Sequence, residues 1–187
     1  MNDTNTPKVF GIGFHKTGTT SLGQAFEILG YCKRGVSKAA LPYILSGDLE
    51  PVFGLVDRYD AFEDNPWPLL YQELDARYPG SRFVLTVREP QDWLKSVMNH
   101  FGTRSTEMRK WIYGHGAPIG NERAYLHRYL THNTQVTHYF RDRPQDLLVM
   151  DICAGDDWHR LCRFLGKPVP QVPYPRANVR RPTSMAV

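Results

Sequence analysis

Residues 8–21 run Lys8-Val-Phe-Gly-Ile-Gly-Phe-His-Lys-Thr-Gly-Thr-Thr-Ser21. They read as an apolar strand, a tight turn and the start of a helix, with a lysine inside the turn. In that geometry the backbone N–H groups of the turn and the unpaired N–H groups of the first helical turn converge on one point. The helix dipole adds roughly half a positive charge there, and Lys16 adds a full one. An ordinary strand-to-helix connection is the plainer reading of the same residues. Two glycines, one lysine and four hydroxyl residues within positions 13–21 exceed what such a turn requires.

The spacing separates this loop from a nucleoside-triphosphate P-loop, where the lysine directly follows the last glycine. Gly13 and Gly18 keep the glycine spacing, but Thr19 follows Gly18 and the lysine stands at position 16. Its ammonium therefore enters from the loop rather than from the helix.

Working outward, Leu22, Ala25, Phe26 and Leu29 recur at helical spacing, and Gly30 stands where a C-terminal cap belongs. From Ser37 to Arg58 the pattern is weak, punctuated by Pro42 and Pro51. Tyr59–Glu63 reads as a strand end. Asp64-Asn65-Pro66 then opens a helix through Tyr78, with Asn65 as its cap and Pro66 at the first helical position. Arg82–Val87 is a near-continuous apolar run, as expected of a parallel strand buried on both faces. Helices follow over about 90–100, 105–113 and 121–141. Leu147–Ile152 is a last buried strand, and Asp156 caps a helix ending at Gly166. Strands alternating with helices predict an α/β three-layer sandwich, a central parallel sheet flanked by helices and joined by right-handed crossovers. From Lys167 onward, four prolines predict an extended surface tail.

A chain of 187 residues fits one domain, 1–187, with 1–7 and 176–187 expected to be flexible tails. Hydrophobic residues make up 41% and charged residues 22%, which is globular rather than disordered composition. A net charge of +4 suits a small anionic ligand, and no Lys/Arg run is long enough to suggest nucleic acid. Cys32, Cys153 and Cys162 form no C-x-x-C pair, so a reducing, cytoplasmic setting is expected. Residues 1–7 lack the blocks of a signal peptide, and no apolar run reaches 18 residues, so no membrane span is expected. The oligomeric state is not readable from the sequence.

In an open parallel sheet, ligands sit beyond the carboxyl ends of the strands. Arg88 stands at that end of the 82–87 run, and Ser96 follows eight residues later in the next helix. Each also has a plainer reading, Arg88 as an ion-pair partner of Glu89 or Asp92 and Ser96 as a helix-surface serine. Taken together, Lys16-Thr-Gly-Thr-Thr-Ser21, Val-Arg88-Glu-Pro and Ser96 resemble the sulfotransferases that use 3′-phosphoadenosine 5′-phosphosulfate (PAPS). The likeness continues more weakly through Leu147–Asp151 and Trp158–Pro168 to Pro175. It implies a fold similar to the P-loop nucleotide kinases. It further implies that Lys16, Thr17, Gly18, Thr19, Thr20 and Ser21 hold the 5′-phosphosulfate, while Arg88 and Ser96 hold the 3′-phosphate. Many cytosolic members carry a tryptophan where this chain has Ser21. Their basic C-terminal loop has no good copy here, leaving Arg176, Arg180 or Arg181 as substitutes.

The implied reaction moves a sulfuryl group from PAPS, as co-substrate, to a hydroxyl or amine of a small-molecule, glycan or lipid acceptor. Lys16 would meet charge growing on the leaving oxygen. Asp64 is the favoured base, with helix capping as its alternative role, and His15 is its rival, with a loop-shaping role. His127, His132 and His138 lack metal-ligand spacing and read as solvated helix residues, so no metal is expected. Trp67, Tyr71, Trp93, Trp111 and Tyr113 read as core more readily than as an acceptor pocket. Two competing readings remain: a non-catalytic relative that binds PAPS or its product, and a small P-loop nucleotide kinase.

Overall fold

The structure, a computed structural model, describes residues 7–177. Five parallel strands form one sheet: β1 (Val9–Gly11), β2 (Lys33–Arg34), β3 (Ala61–Phe62), β4 (Arg82–Thr86) and β5 (Leu147–Met150), in the order β2-β3-β1-β4-β5. β1 lies between β3 and β4, with Val9 opposite both Ala61 and Arg82. The strand carrying the lysine loop is therefore central, and Arg88 follows its immediate neighbour.

The eight helices described are α1 (Thr19–Ile28), α2 (Leu41–Ser46), α3 (Glu50–Val56), α4 (Tyr71–Arg77), α5 (Pro90–Phe101), α6 (Glu107–Tyr113), α7 (Glu122–Tyr139) and α8 (Trp158–Leu165). Strand alternation divides the core. Phe10, Phe62, Phe83 and Leu85 point to one face, against Val52, Leu74, Val136 and Phe140 of α3, α4, α7 and the residue that ends α7. Val9, Ala61 and Val84 point to the other, against Leu22, Ala25, Phe26, Trp158 and Leu161 of α1 and α8. Burying each large side chain contributes about 1.5–3 kcal/mol. A third cluster seats Phe14 of the lysine loop among Trp93, Val97, Ile112, Tyr113, Tyr125 and Tyr129 of α5, α6 and α7. The α/β sandwich expected from the alternating pattern is the observed fold.

Local expectations differ in several places. The segment after Asp64 does not open a helix: Asn65–Pro66 is a cis peptide, Trp67–Leu70 forms a short 3-10 turn, and α4 begins only at Tyr71. Asn65 caps nothing, because its amide is bound to His15. The cap of α8 is Asp157, whose carboxylate accepts from His159 N. Asp156 is occupied by the Asp151 N–H and by Arg160. β5 stops at Met150 and is a half-exposed edge, because it pairs only with β4. His132 is buried, not solvated, while His127 and His138 are exposed on α7. β2 was not visible as a strand, since two residues carry no periodicity.

No described helix is long and apolar enough to cross a membrane. Arg180 and Arg181, with most of the expected tails, lie outside the described residues.

Candidate functional site

The lysine loop is bolted to β4. Ile12 N donates to Val84 O at 2.8 Å. The Thr17 hydroxyl donates to Phe14 O and lies 2.6 Å from the Thr86 hydroxyl. A hydroxyl has one proton, so Thr17 accepts from Thr86. Gly13 makes this close approach possible: a Cβ there would stand 2.0 Å from Thr86 Oγ1 and 2.3 Å from Thr86 O. Gly18 precedes α1 with φ 97°, a left-handed conformation that suits glycine. Among the described residues no side chain caps this end of α1, so its leading N–H groups face the loop without a protein acceptor.

Lys16 is half-buried and holds φ 69°. Among the described residues the other non-glycine residue with positive φ is Asp64, at 64°. Such backbone is uncommon for residues with a Cβ, and in folded proteins it gathers at functional sites. The two residues are close enough for their charges to interact. Asp64 Oδ2 accepts from the Thr19 hydroxyl at 3.4 Å, and its Oδ1 accepts from Asn65 N at 2.7 Å. Burial is the main cause holding the Asp64 carboxyl above its ordinary range, against the pull of these hydrogen bonds and of Lys16. Burial, then the neighbouring Arg88, lowers the Lys16 ammonium, with Asp64 acting in the opposite direction.

Arg88 completes the cationic wall. Its guanidinium Nη1 donates to the Lys16 carbonyl at 3.5 Å. Its backbone is clamped by Tyr129, whose hydroxyl accepts from Arg88 N at 2.9 Å and donates to Arg88 O at 2.8 Å. The ion-pair alternative does not hold: Glu89 caps α5 and Asp92 pairs with Lys95. Ser96 is half-buried on α5 and makes no direct hydrogen bond to Arg88 or the loop among the described residues. Ser21 is buried, and its hydroxyl oxygen accepts from Ala177 N at 3.0 Å. That contact lays the C-terminal segment, with exposed Arg176, beside the loop.

A sulfotransferase-domain family profile matches residues 46–119 and 104–182, together most of the chain. The chain belongs to the sulfotransferase family. The Ava biosynthesis cluster protein M of Aspergillus versicolor is 28% identical to this chain over 211 aligned positions, spanning 90% of this chain and 79% of the relative. The profile takes in Asp64, Arg88 and Ser96, while the lysine loop precedes it.

His15 lies beneath the loop rather than in the sulfotransferase cleft. It is 4% exposed. Its Nδ1 accepts from the Asn65 amide at 3.0 Å, and Nε2 meets the Tyr113 hydroxyl at 3.0 Å. With both nitrogens engaged and the pKa lowered to about 3, first by burial and then by Arg109 and Lys16, the ring is neutral. Trp93 Nε1 donates to the His15 carbonyl at 2.9 Å, fixing the backbone beside Lys16. Asn65, Thr86, Tyr113 and Arg109 support the site from distant positions in the chain, and no local motif marks them. Arg109 is a buried cation whose Nε donates to Gly116 O, and it adds positive potential under the loop. Of the residues expected to be core, Trp67, Tyr71, Trp93 and Tyr113 are buried and Trp111 is partly so. Among the described residues no group of three or more His, Cys, Asp or Glu side chains gathers for a metal.

Proposed function

We propose that this sulfotransferase transfers a sulfuryl group from PAPS to a hydroxyl or amine of a small-molecule, glycan or lipid acceptor. The observation that carries the reading is the contact of the Arg88 guanidinium with the Lys16 carbonyl, which puts two cations at one cleft beside an uncapped helix start. One adenylate bearing an anion at each end is the ligand proposed to bridge them. The loop N–H groups and Thr17–Ser21 take the 5′-phosphosulfate, and Arg88 with Ser96 takes the 3′-phosphate. Arg176 stands near enough to assist.

Sulfuryl transfer, like phosphoryl transfer, asks the protein chiefly for alignment and charge stabilisation. Lys16 neutralises the oxygen that departs with adenosine 3′,5′-bisphosphate. Asp64 accepts the acceptor's proton, a role suited to a carboxyl held above its ordinary range. Its capping alternative is supported by no helix start at that place. His15 positions the loop.

Thermal denaturation with adenosine 3′,5′-bisphosphate, compared with ATP and Mg²⁺, tests the donor. At a 100-fold excess over Kd the bisphosphate adds about 2.7 kcal/mol of stability and raises the melting temperature, whereas ATP with Mg²⁺ does less. Transfer of labelled sulfate to an acceptor library then separates an enzyme from a binding module. A preference for ATP and Mg²⁺ would refute the proposal.

A further inference from the structure

On the face of the sheet covered by α4 and α7 lies a recess of about 340 Å³ whose lining does not include Lys16 or Arg88. That is within the range of small-ligand sites. Its walls include Tyr71, Gln72, Arg128, His132, Gln135 and Tyr139. Arg128 is half-buried, over the Phe14 ring at 5.8 Å, and Nε donates to Ile112 O at 3.1 Å. Among the described residues its terminal nitrogens have no acceptor and no carboxylate pairs with it. The adjacent His132 is 1% exposed; its Nε2 donates to Ile12 O at 2.8 Å, and among the described residues its Nδ1 has no partner. Tyr139 is fixed by its bond to Asp75, which is itself held by Arg143, so this wall is rigid.

A half-buried guanidinium is normally matched by a carboxylate or phosphate, because desolvating it without a counter-charge is costly. Here Arg128 lines a recess together with the side-chain amides of Gln72 and Gln135 and the rings of Tyr71 and Tyr139. We propose that this recess binds a small molecule bearing an oxyanion, carboxylate or phosphate, gripped by Arg128 while its body lies on Tyr71 and Tyr139. The fork geometry of arginine suits either head group. The recess shares none of its lining residues with the proposed donor site, although Arg128 and His132 touch Phe14 and Ile12 of the loop strand.

The test titrates inorganic phosphate and, separately, acetate into a Lys16→Ala chain, where the principal cation of the cleft is gone. Calorimetry is paired with NMR of labelled histidine rings. One of the two anions binds saturably, its identity names the head group, and Arg128→Gln in the same background weakens it roughly tenfold or more. The His132 resonances move with occupancy while those of exposed His127 stay. Binding that Arg128→Gln leaves unchanged, or the lack of saturable binding by either anion, overturns the proposal. Should Arg128→Gln not fold, the His132 signals decide: a saturable shift supports the site and unmoved signals reject it.

Discussion

At Lys16 a full charge is held on a left-handed backbone, half-buried, with a second cation touching its own carbonyl. The strained backbone and the partly desolvated charge oppose folding, and the arrangement suits a group that must meet an anion. Replacing Lys16 by Ala is expected to lower kcat by about 10²–10³, the loss typical when one charge-stabilising contact is removed. Wild-type turnover in that variant would remove Lys16 from the chemistry. Asp64→Asn keeps the size and the backbone bond but cannot take a proton. Its expected signature is a reduced kcat with unchanged affinity for adenosine 3′,5′-bisphosphate, measured by calorimetry. If Asp64→Asn keeps full activity while His15→Ala loses it, the two roles should be exchanged.

At the scale of the elements, the β1–α1 connection is set by its packing on β4. Gly13→Ala drives a methyl into the Thr86 backbone and hydroxyl, so the strand pair must separate. A loss of about 3 kcal/mol or more follows, as a lower urea midpoint at unchanged m-value. The same connection shows what a reader of the sequence can see. Lys16, Gly18 and the threonines are legible because chain direction and spacing alone place them at a helix start. Arg88 is legible because strand polarity puts it at the same sheet edge. Asn65 is not: a residue before proline in a polar run signals a cap, yet its amide is claimed by His15, fifty positions away. His132 is misleading for a similar reason. α7 is polar on most of its surface, and the stacking of the ring on Phe14, with centroids 4.3 Å apart, and its bond to the Ile12 carbonyl turn this histidine inward. Tertiary contacts of this kind leave no local periodicity to detect.

For the whole molecule, buried titratable groups shape stability against pH. The folded chain holds His15 at about 3 and His132 at about 4, both below the ordinary 6.5 and chiefly through burial. Their contributions are complete above pH 6.5 and are lost as pH falls toward those values, because the unfolded chain then binds protons that the folded one refuses. Each gives a slope of about 1.4 kcal/mol per pH unit. Glu63, buried and 3.5 Å from Lys33, is raised to about 7, first by burial and then by Asp64. Its sign is opposite: stability is greatest below pH 4.5 and declines as pH rises to 7. Between pH 4.5 and 6.5 the two histidines lower stability as pH falls, while Glu63, joined by the burial-raised Asp64, opposes that acid limb. His132→Gln should flatten that limb and Glu63→Gln should steepen it, as read from urea midpoints at pH 5 and pH 7. An unchanged limb in His132→Gln would show that its burial carries no such cost.

The left-handed backbone at Lys16 also bears on how such a chain would change under artificial selection. Glycine occupies that conformation without a steric penalty, so a library screened for heat resistance alone would tend to discard the lysine. Pairing each thermal round with a screen for catalysis would keep it.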